Sequence, residues 1–155
     1  MNQSHQLAKR FREVLLNGKW VVTTNYQEQL SNLDWKQATK KVEPFNTIAD
    51  LTFHIDYYVA GILNVLEGGT LNIKDQYSFD YNPPASQQDW EALRAKLIED
   101  AEKFAALVEQ LDNNKLQEVF VDEKYGNYQL NINAMIEHCY YHLGQIILIK
   151  KLVTT

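Results

Sequence analysis

Two histidines lie four residues apart in the stretch Ile136–Lys151, IEHCYYHLGQIILIKK. If this stretch is helical, the spacing of His138 and His142 places both imidazoles on one face, one turn apart. Gln145 follows on the same face. Such a pair can bind one transition metal ion. Taken alone it is weak evidence, because the spacing also occurs in structural and surface roles and two ligands are too few.

A third histidine, His54, lies in a second helical stretch, IADLTFHIDYYVAGIL, on the face that carries Leu51 and Tyr58. His138 and His142 lie at a comparable depth in their own helix, so side-by-side packing would let the three rings meet. The alternative is a buried histidine that hydrogen-bonds to a neighbour. Burying three imidazoles without a shared partner is costly, which favours a metal site formed by His54, His138 and His142.

The ligand set restricts the metal only in part. Neutral imidazoles without a thiolate suit zinc, nickel, iron or copper. Three protein ligands and an open fourth position are typical of a catalytic zinc site, where the ion activates a water, a carbonyl or a thiol. Gln145 is expected to support a ligand or to face the substrate. Tyr58 and Tyr141 are candidate proton donors, and ordinary aromatic packing is the alternative for both.

Four long segments with helical periodicity position these residues. Their expected bounds are Gln3–Leu16, Thr47–Glu67, Gln87–Leu111 and Asn131–Leu152. The rest of the chain shows no comparably strong pattern of secondary structure, so the predicted fold class is all-α, a four-helix bundle. The connection Gly68–Ser86, about nineteen residues, is longer than antiparallel neighbours need. It can run back along a whole helix, which predicts an up-down-down-up bundle.

Shorter segments lie between the long helices. YQEQLSNL and WKQATKK are expected to form short helical turns across the bundle, anchored by Trp20, Leu33 and Trp35. A brief extended piece is expected around the turn Tyr125-Gly126-Asn127. These segments carry no predicted ligand, so their expected role is to cover the core.

Three further residues with reactive or charged side chains lie close to the histidines in the sequence. Cys139 follows His138 directly and points about 100° away around the helix, so it is expected to be a small buried hydrophobe. Asp50 and Asp56 flank His54. Both are expected to be exposed charges that face away from the metal site.

The composition indicates one globular domain, residues 1–155, with 45% hydrophobic and 23% charged residues. A net charge of −5 with scattered basic residues argues against a nucleic-acid-binding surface. A single cysteine excludes an intramolecular disulfide and predicts a reducing compartment. The N-terminus lacks a signal-peptide pattern, and the longest apolar run, Ile146–Ile149, is far too short to span a bilayer. A cytoplasmic location without membrane association is expected.

The histidine pattern resembles the DinB/YfiT-like superfamily. Its two signature helices are similar to NTIADLTFHIDYYVAGILNVLEGG and IEHCYYHLGQIILIKK, and the resemblance covers essentially the whole chain. It implies a four-helix bundle, frequent homodimers and a divalent metal on His54, His138 and His142. Zinc or nickel would be the first candidates, with iron or manganese as alternatives. The superfamily includes metal-dependent thiol transferases and isomerases that use low-molecular-weight thiols such as bacillithiol or mycothiol, and proposed hydrolases. The resemblance therefore implies an activity of one of these kinds.

Three hypotheses of function follow. The first is a metal-dependent enzyme of transferase or hydrolase type, which activates a thiol or a water for attack on a small electrophilic substrate. The second is a non-catalytic bundle whose packing is fixed by a metal or by a polar histidine cluster. The third is a stress-linked interaction protein that acts through a dimer surface.

Overall fold

The computed structural model describes residues 2–155, and most of these residues lie in helices. The helices are α1 (Gln3–Leu15), α2 (Tyr26–Ser31), α3 (Trp35–Ala38), α4 (Ile48–Leu66), α5 (Gln87–Gln110), α6 (Asn113–Gln117) and α7 (Tyr128–Val153), with single 3₁₀ turns at Asp75–Tyr77 and Glu123–Tyr125. Within residues 2–155 the β pairing is limited to one isolated bridge between Val119 and Asn127. The prediction of an all-α fold is confirmed. No helix in this range is both long and apolar enough to cross a membrane.

Side-chain caps decide where three of the four long helices begin. The caps are Thr47 for α4, Ser86 for α5 and Asn127 for α7. At α4 the hydroxyl of Thr47 accepts from the amide of Asp50, and the Asp50 carboxylate accepts from the amide of Thr47, which closes a capping box. Helix α7 begins before the predicted Asn131 because Asn127 accepts a hydrogen bond from the amide of Leu130.

Contacts between α4 and α5 show that these two helices run in the same direction. Asp56 of α4 pairs with Lys96 of α5 at 2.9 Å. Further along, the pKa of Lys103 is raised by its hydrogen bond to Glu99 and, less strongly, by the charge of Glu67 at the end of α4. Later residues of α4 therefore face later residues of α5. The chain between the two helices returns along the bundle to allow this arrangement.

Helix α7 runs opposite to α4, and this direction brings the histidines together. His54 of α4 meets His138 and His142 of α7, whereas Leu51, one turn earlier in α4, shares a groove with Ile149, later in α7. Helix α1 completes the bundle by packing against α5 and α7. The seam between α4 and α7 therefore positions the candidate ligands.

The short helices close one side of the core, although not through all of the predicted anchors. Leu33 is buried, and its carbonyl accepts a hydrogen bond from the indole of Trp90 at 2.9 Å. The prediction that Trp20 is an anchor is wrong, because this residue is 86% exposed. Tyr26 and Leu30 of α2 are fully buried instead, so the helix itself anchors the segment and the preceding loop stays outside the core.

Candidate metal centre

Three imidazoles converge on the seam between α4 and α7. The Nε2 atom of His138 lies 3.2 Å from Nε2 of His54 and 2.8 Å from Nε2 of His142. Within residues 2–155 these three side chains form a cluster whose candidate ligand atoms all lie within 4.8 Å of one another. The structure thus brings together the three residues that were predicted as ligands from different parts of the chain.

The spacing of these nitrogen atoms fits one shared metal ion. Two nitrogens that each lie about 2.1 Å from a metal are separated by about 3.0 to 3.4 Å when they subtend 90 to 109° at the ion. The separations of 3.2 and 2.8 Å lie close to this interval. No carboxylate or thiol of the described residues joins the three imidazoles, so the donor set leaves room for a further, non-protein ligand.

Hydrogen bonds on the far side of two rings orient their nitrogens. The Nδ1 atom of His54 lies 3.3 Å from the carbonyl oxygen of Ser78. A carbonyl can only accept, so Nδ1 carries the hydrogen and Nε2 keeps its lone pair. The Nδ1 atom of His142 likewise lies 2.6 Å from Oε1 of Gln145. Both Nε2 lone pairs therefore point into the cluster, the arrangement that supports metal binding elsewhere.

Burial and mutual repulsion keep the cluster uncharged at neutral pH. The pKa of His138 is lowered to about 4, first by burial and then by the neighbouring imidazoles of His142 and His54. Burial also lowers the pKa of His54 and of His142. Neutral imidazoles are the form that binds metal. Protons therefore compete weakly for these nitrogens at pH 7.

Aromatic rings surround the three imidazoles. Phe79 stacks on His54 with ring centroids 4.3 Å apart. Tyr58 contacts both His54 and His138 edge-on, each at 5.1 Å. Tyr141 contacts His142 at 4.9 Å, although 64% of Tyr141 is exposed. Both tyrosines predicted as neighbours of the centre do contact its ligands. They also fix the orientation of the rings by packing.

The connection between α4 and α5 supplies groups that the helical pattern did not reveal. The hydroxyl of Tyr58 donates to the carboxylate of Asp75 at 2.8 Å. The hydroxyl of Tyr57 donates to the carbonyl of Lys74 and accepts from the amide of the same residue. These bonds hold the connection against α4, where Ser78 and Phe79 can contact His54. The sequence signal that could have suggested this is the unusual length of the connection.

An apolar groove of about 290 Å³ adjoins the centre through one residue. Gln145, which contacts His142, also lines this groove. The remaining walls come from the segment before α4, from the first turn of α4 and from the end of α7: Pro44, Phe45, Asn46, Leu51, Leu148, Ile149 and Leu152. Gln145 contacts His142 at Nδ1, whereas the Nε2 atom of His142 faces the cluster.

Cys139 and Asp56, which lie close to the histidines in the sequence, are both buried, and burial was predicted only for Cys139. Cys139 is fully buried, as expected, and burial raises the pKa of its thiol. The prediction that Asp56 is exposed is wrong, because only 4% of it is exposed, although it does face away from the metal site. It lies two residues after His54 and thus on the opposite side of α4, where it faces α5 and pairs with Lys96. Burial raises the pKa of Asp56 to about 6.

Comparison with known proteins supports one assignment. A family model described as the DinB superfamily matches residues 21–146. This range includes all three histidines, Gln145 and the connection between α4 and α5. Neither the curated proteins nor the solved structures provide a match. The matched range covers most of the chain, so the chain belongs to the DinB superfamily.

Proposed function

We propose that this chain is a divalent-metal-dependent enzyme of transferase or hydrolase type, in which His54, His138 and His142 hold the ion. The observation that carries the proposal is the convergence of three Nε2 atoms, two of them with separations of 2.8 and 3.2 Å from the third. Three neutral imidazoles suit zinc, nickel or iron, with zinc or nickel as the first candidates, and membership of the DinB superfamily adds manganese as an alternative. The substrate would be a small electrophilic molecule, with a low-molecular-weight thiol as a second reactant in the transferase case.

The side chains around the histidines would each have a defined role. When bound, a divalent ion would lower the pKa of a thiol or water and so supply a nucleophile near neutral pH. Gln145 and the carbonyl of Ser78 hold two imidazoles in the tautomer whose Nε2 is free. Phe79 excludes water from one face of His54. The hydroxyl of Tyr58 keeps its proton within a hydrogen bond to Asp75.

A second candidate is a metal that only stabilises the bundle. The observation that favours it is the burial of two ligands, because His54 and His142 are 7% and 8% exposed.

A homodimer is a further proposal. The exposed apolar side chains along α7, among them Leu148 and Leu152, offer a surface for it, and the mass of the protein in solution tests it.

The decisive experiment is a metal titration of protein purified without an affinity tag. We expect one zinc or nickel ion per chain in the wild type and none in the triple variant H54A/H138A/H142A. Gln145→Ala should bind the same metal about 10-fold more weakly, because a lost supporting hydrogen bond typically costs 10- to 100-fold in affinity. A wild type that contains no metal and binds no added zinc or nickel would contradict the proposal.

Activity separates the two candidates once metal binding is established. The loaded protein should accelerate the reaction of a small thiol with an electrophile or the hydrolysis of a small ester or amide. The metal-loaded Tyr58→Phe variant tests whether the Tyr58 hydroxyl takes part, because it keeps the ligands and the ring contacts but loses the hydrogen bond to Asp75. A loaded wild type that binds metal tightly and accelerates neither reaction would favour the structural candidate.

A further inference from the structure

One charged side chain lies beside the aromatic rings that surround the centre. Asp75 is exposed, and its carboxylate accepts the hydroxyl of Tyr58 at 2.8 Å. The ring of Tyr58 contacts both His54 and His138. Asp75 is therefore one side chain away from two candidate ligands.

The two rings that contact His54, those of Tyr58 and Phe79, present surface to solvent. One face of Phe79 covers His54, and 42% of Phe79 remains exposed. Tyr58 is half-buried with its hydroxyl directed at the carboxylate. A carboxylate beside aromatic faces is the combination that attracts organic cations, through charge and through the negative face of the rings. An anionic group at the same place would meet the charge of Asp75 and would be repelled.

We propose that Asp75, with the rings of Tyr58 and Phe79, recognises a cationic group, such as an ammonium, on the molecule that reacts at the three-histidine centre. This inference rests on the proposed function, because it concerns the same site, and it adds the charge class of the substrate or thiol. Asp75 is a specificity-determining residue in this scheme. It lies outside the ligand cluster and is not required to hold the metal.

Three small thiols of similar size and different charge provide the test. Cysteamine carries an ammonium, 2-mercaptoethanol a hydroxyl and mercaptoacetate a carboxylate. Each is titrated into the cobalt-loaded, full-length protein, and binding is followed by the sulfur-to-cobalt charge-transfer absorption. The variant is Asp75→Asn, which removes the charge but keeps an oxygen that can accept the Tyr58 hydroxyl. The matched control is Asp80→Asn, which removes an exposed carboxylate from the same connection.

The expected result is a preference that depends on Asp75 alone. The affinity ratio of cysteamine to mercaptoethanol should fall about 3- to 10-fold in Asp75→Asn, because one screened charge pair is lost while the aromatic rings remain. Mercaptoacetate should gain affinity in the same variant. Asp80→Asn should keep the wild-type ratios. Comparing ratios between variants cancels the different acidities of the three thiols, because that property does not depend on the protein.

The outcomes distinguish this inference from the proposed function. If all proteins bind cobalt and thiols but the ratio is the same in wild type and Asp75→Asn, the recognition role is overturned and the metal site stands. An equal fall in Asp80→Asn would also overturn it, since net charge would then explain the effect. Cobalt binding without any thiol binding overturns it as well. A failure to bind cobalt at all would overturn the proposed function, and this inference with it.

Discussion

The two sides of helix α4 bury different polar groups, and they satisfy them in different ways. His54 faces α7, where the Nε2 atoms of His138 and His142 lie close to its own. Asp56, two residues later, faces α5 and pairs with Lys96. The carboxylate has its counter-charge within the chain, whereas the three neutral imidazoles direct candidate ligand atoms toward one another. A buried polar residue therefore indicates a ligand site only where several candidate ligand atoms converge.

The pairing of Asp56 with Lys96 satisfies only one of the two carboxylate oxygens. The Oδ2 atom of Asp56 accepts from Lys96, but its Oδ1 atom is buried without a hydrogen-bond partner among the described residues. Such an atom loses its hydration without a full replacement. This is consistent with the raised pKa of Asp56, of which burial is the largest cause. The Asp56–Lys96 pair therefore serves the packing of α4 on α5 at some cost in stability.

The largest expected contrast between the two sides is stabilisation by metal. Zinc at about 100 times its dissociation constant should raise the free energy of unfolding by about 2.7 kcal/mol, which is about 5 to 10 °C in Tm for a chain of this size. Lys96→Met should show the same rise with zinc, because Lys96 contacts the side of α4 that faces α5 and the three histidines are unchanged. His138→Ala should show none. Thermal unfolding with and without zinc measures this, and an equal rise in His138→Ala would remove the distinction.

A smaller effect is expected on the α5 side in the absence of metal. Lys96→Met should lower the free energy of unfolding by about 1 to 2 kcal/mol at pH 7, because it leaves a buried carboxylate without a partner. The double variant D56N/K96M should recover part of this loss. Urea unfolding provides the measurement. Lys103→Met, which removes an exposed lysine from the same helix, is the control, and a loss of similar size there would argue against a special role for the buried pair.

The smallest expected net effect is the pH dependence of the metal-free protein, because the two sides act with opposite sign and largely cancel. The folded pKa of His138 is lowered from 6.5 to about 4, so the unfolded chain binds more protons between these values and stability falls as pH falls. The folded pKa of Asp56 is raised from 3.8 to about 6. In that window the folded chain binds the extra proton, and stability rises as pH falls.

The two contributions can be separated by one variant on each side. His138→Gln should flatten the loss of stability between pH 6.5 and 4, and Asp56→Asn should steepen it. Urea midpoints measured across this range, in the presence of a chelator, give the slopes. Identical slopes for wild type and His138→Gln would show that the imidazole cluster does not resist protonation in the way that its burial indicates.

Much of the frame could be predicted from local sequence, because helix periodicity and caps are local properties. The bounds expected for the four long helices lie within a few residues of the observed ones. His138 and His142 share a helix face by spacing alone. The errors lie where tertiary packing decides exposure: Trp20 remains in solvent and Asp56 is buried. Tryptophan is usually buried and aspartate is usually exposed. The residue type alone does not show whether a neighbouring helix covers the side chain.

By itself, the sequence determined the helices, the face that carries the histidine pair and the position of His54 on the apolar side of its helix. These follow from a period of 3.6 residues per turn. Only the tertiary structure decided that the Nε2 atoms meet, that the carbonyl of Ser78 and the ring of Phe79 cover His54, and that Asp75 lies beside Tyr58. The physical reason is that a connection of this length has no conformation of its own. Its path is selected by the contacts it makes with α4.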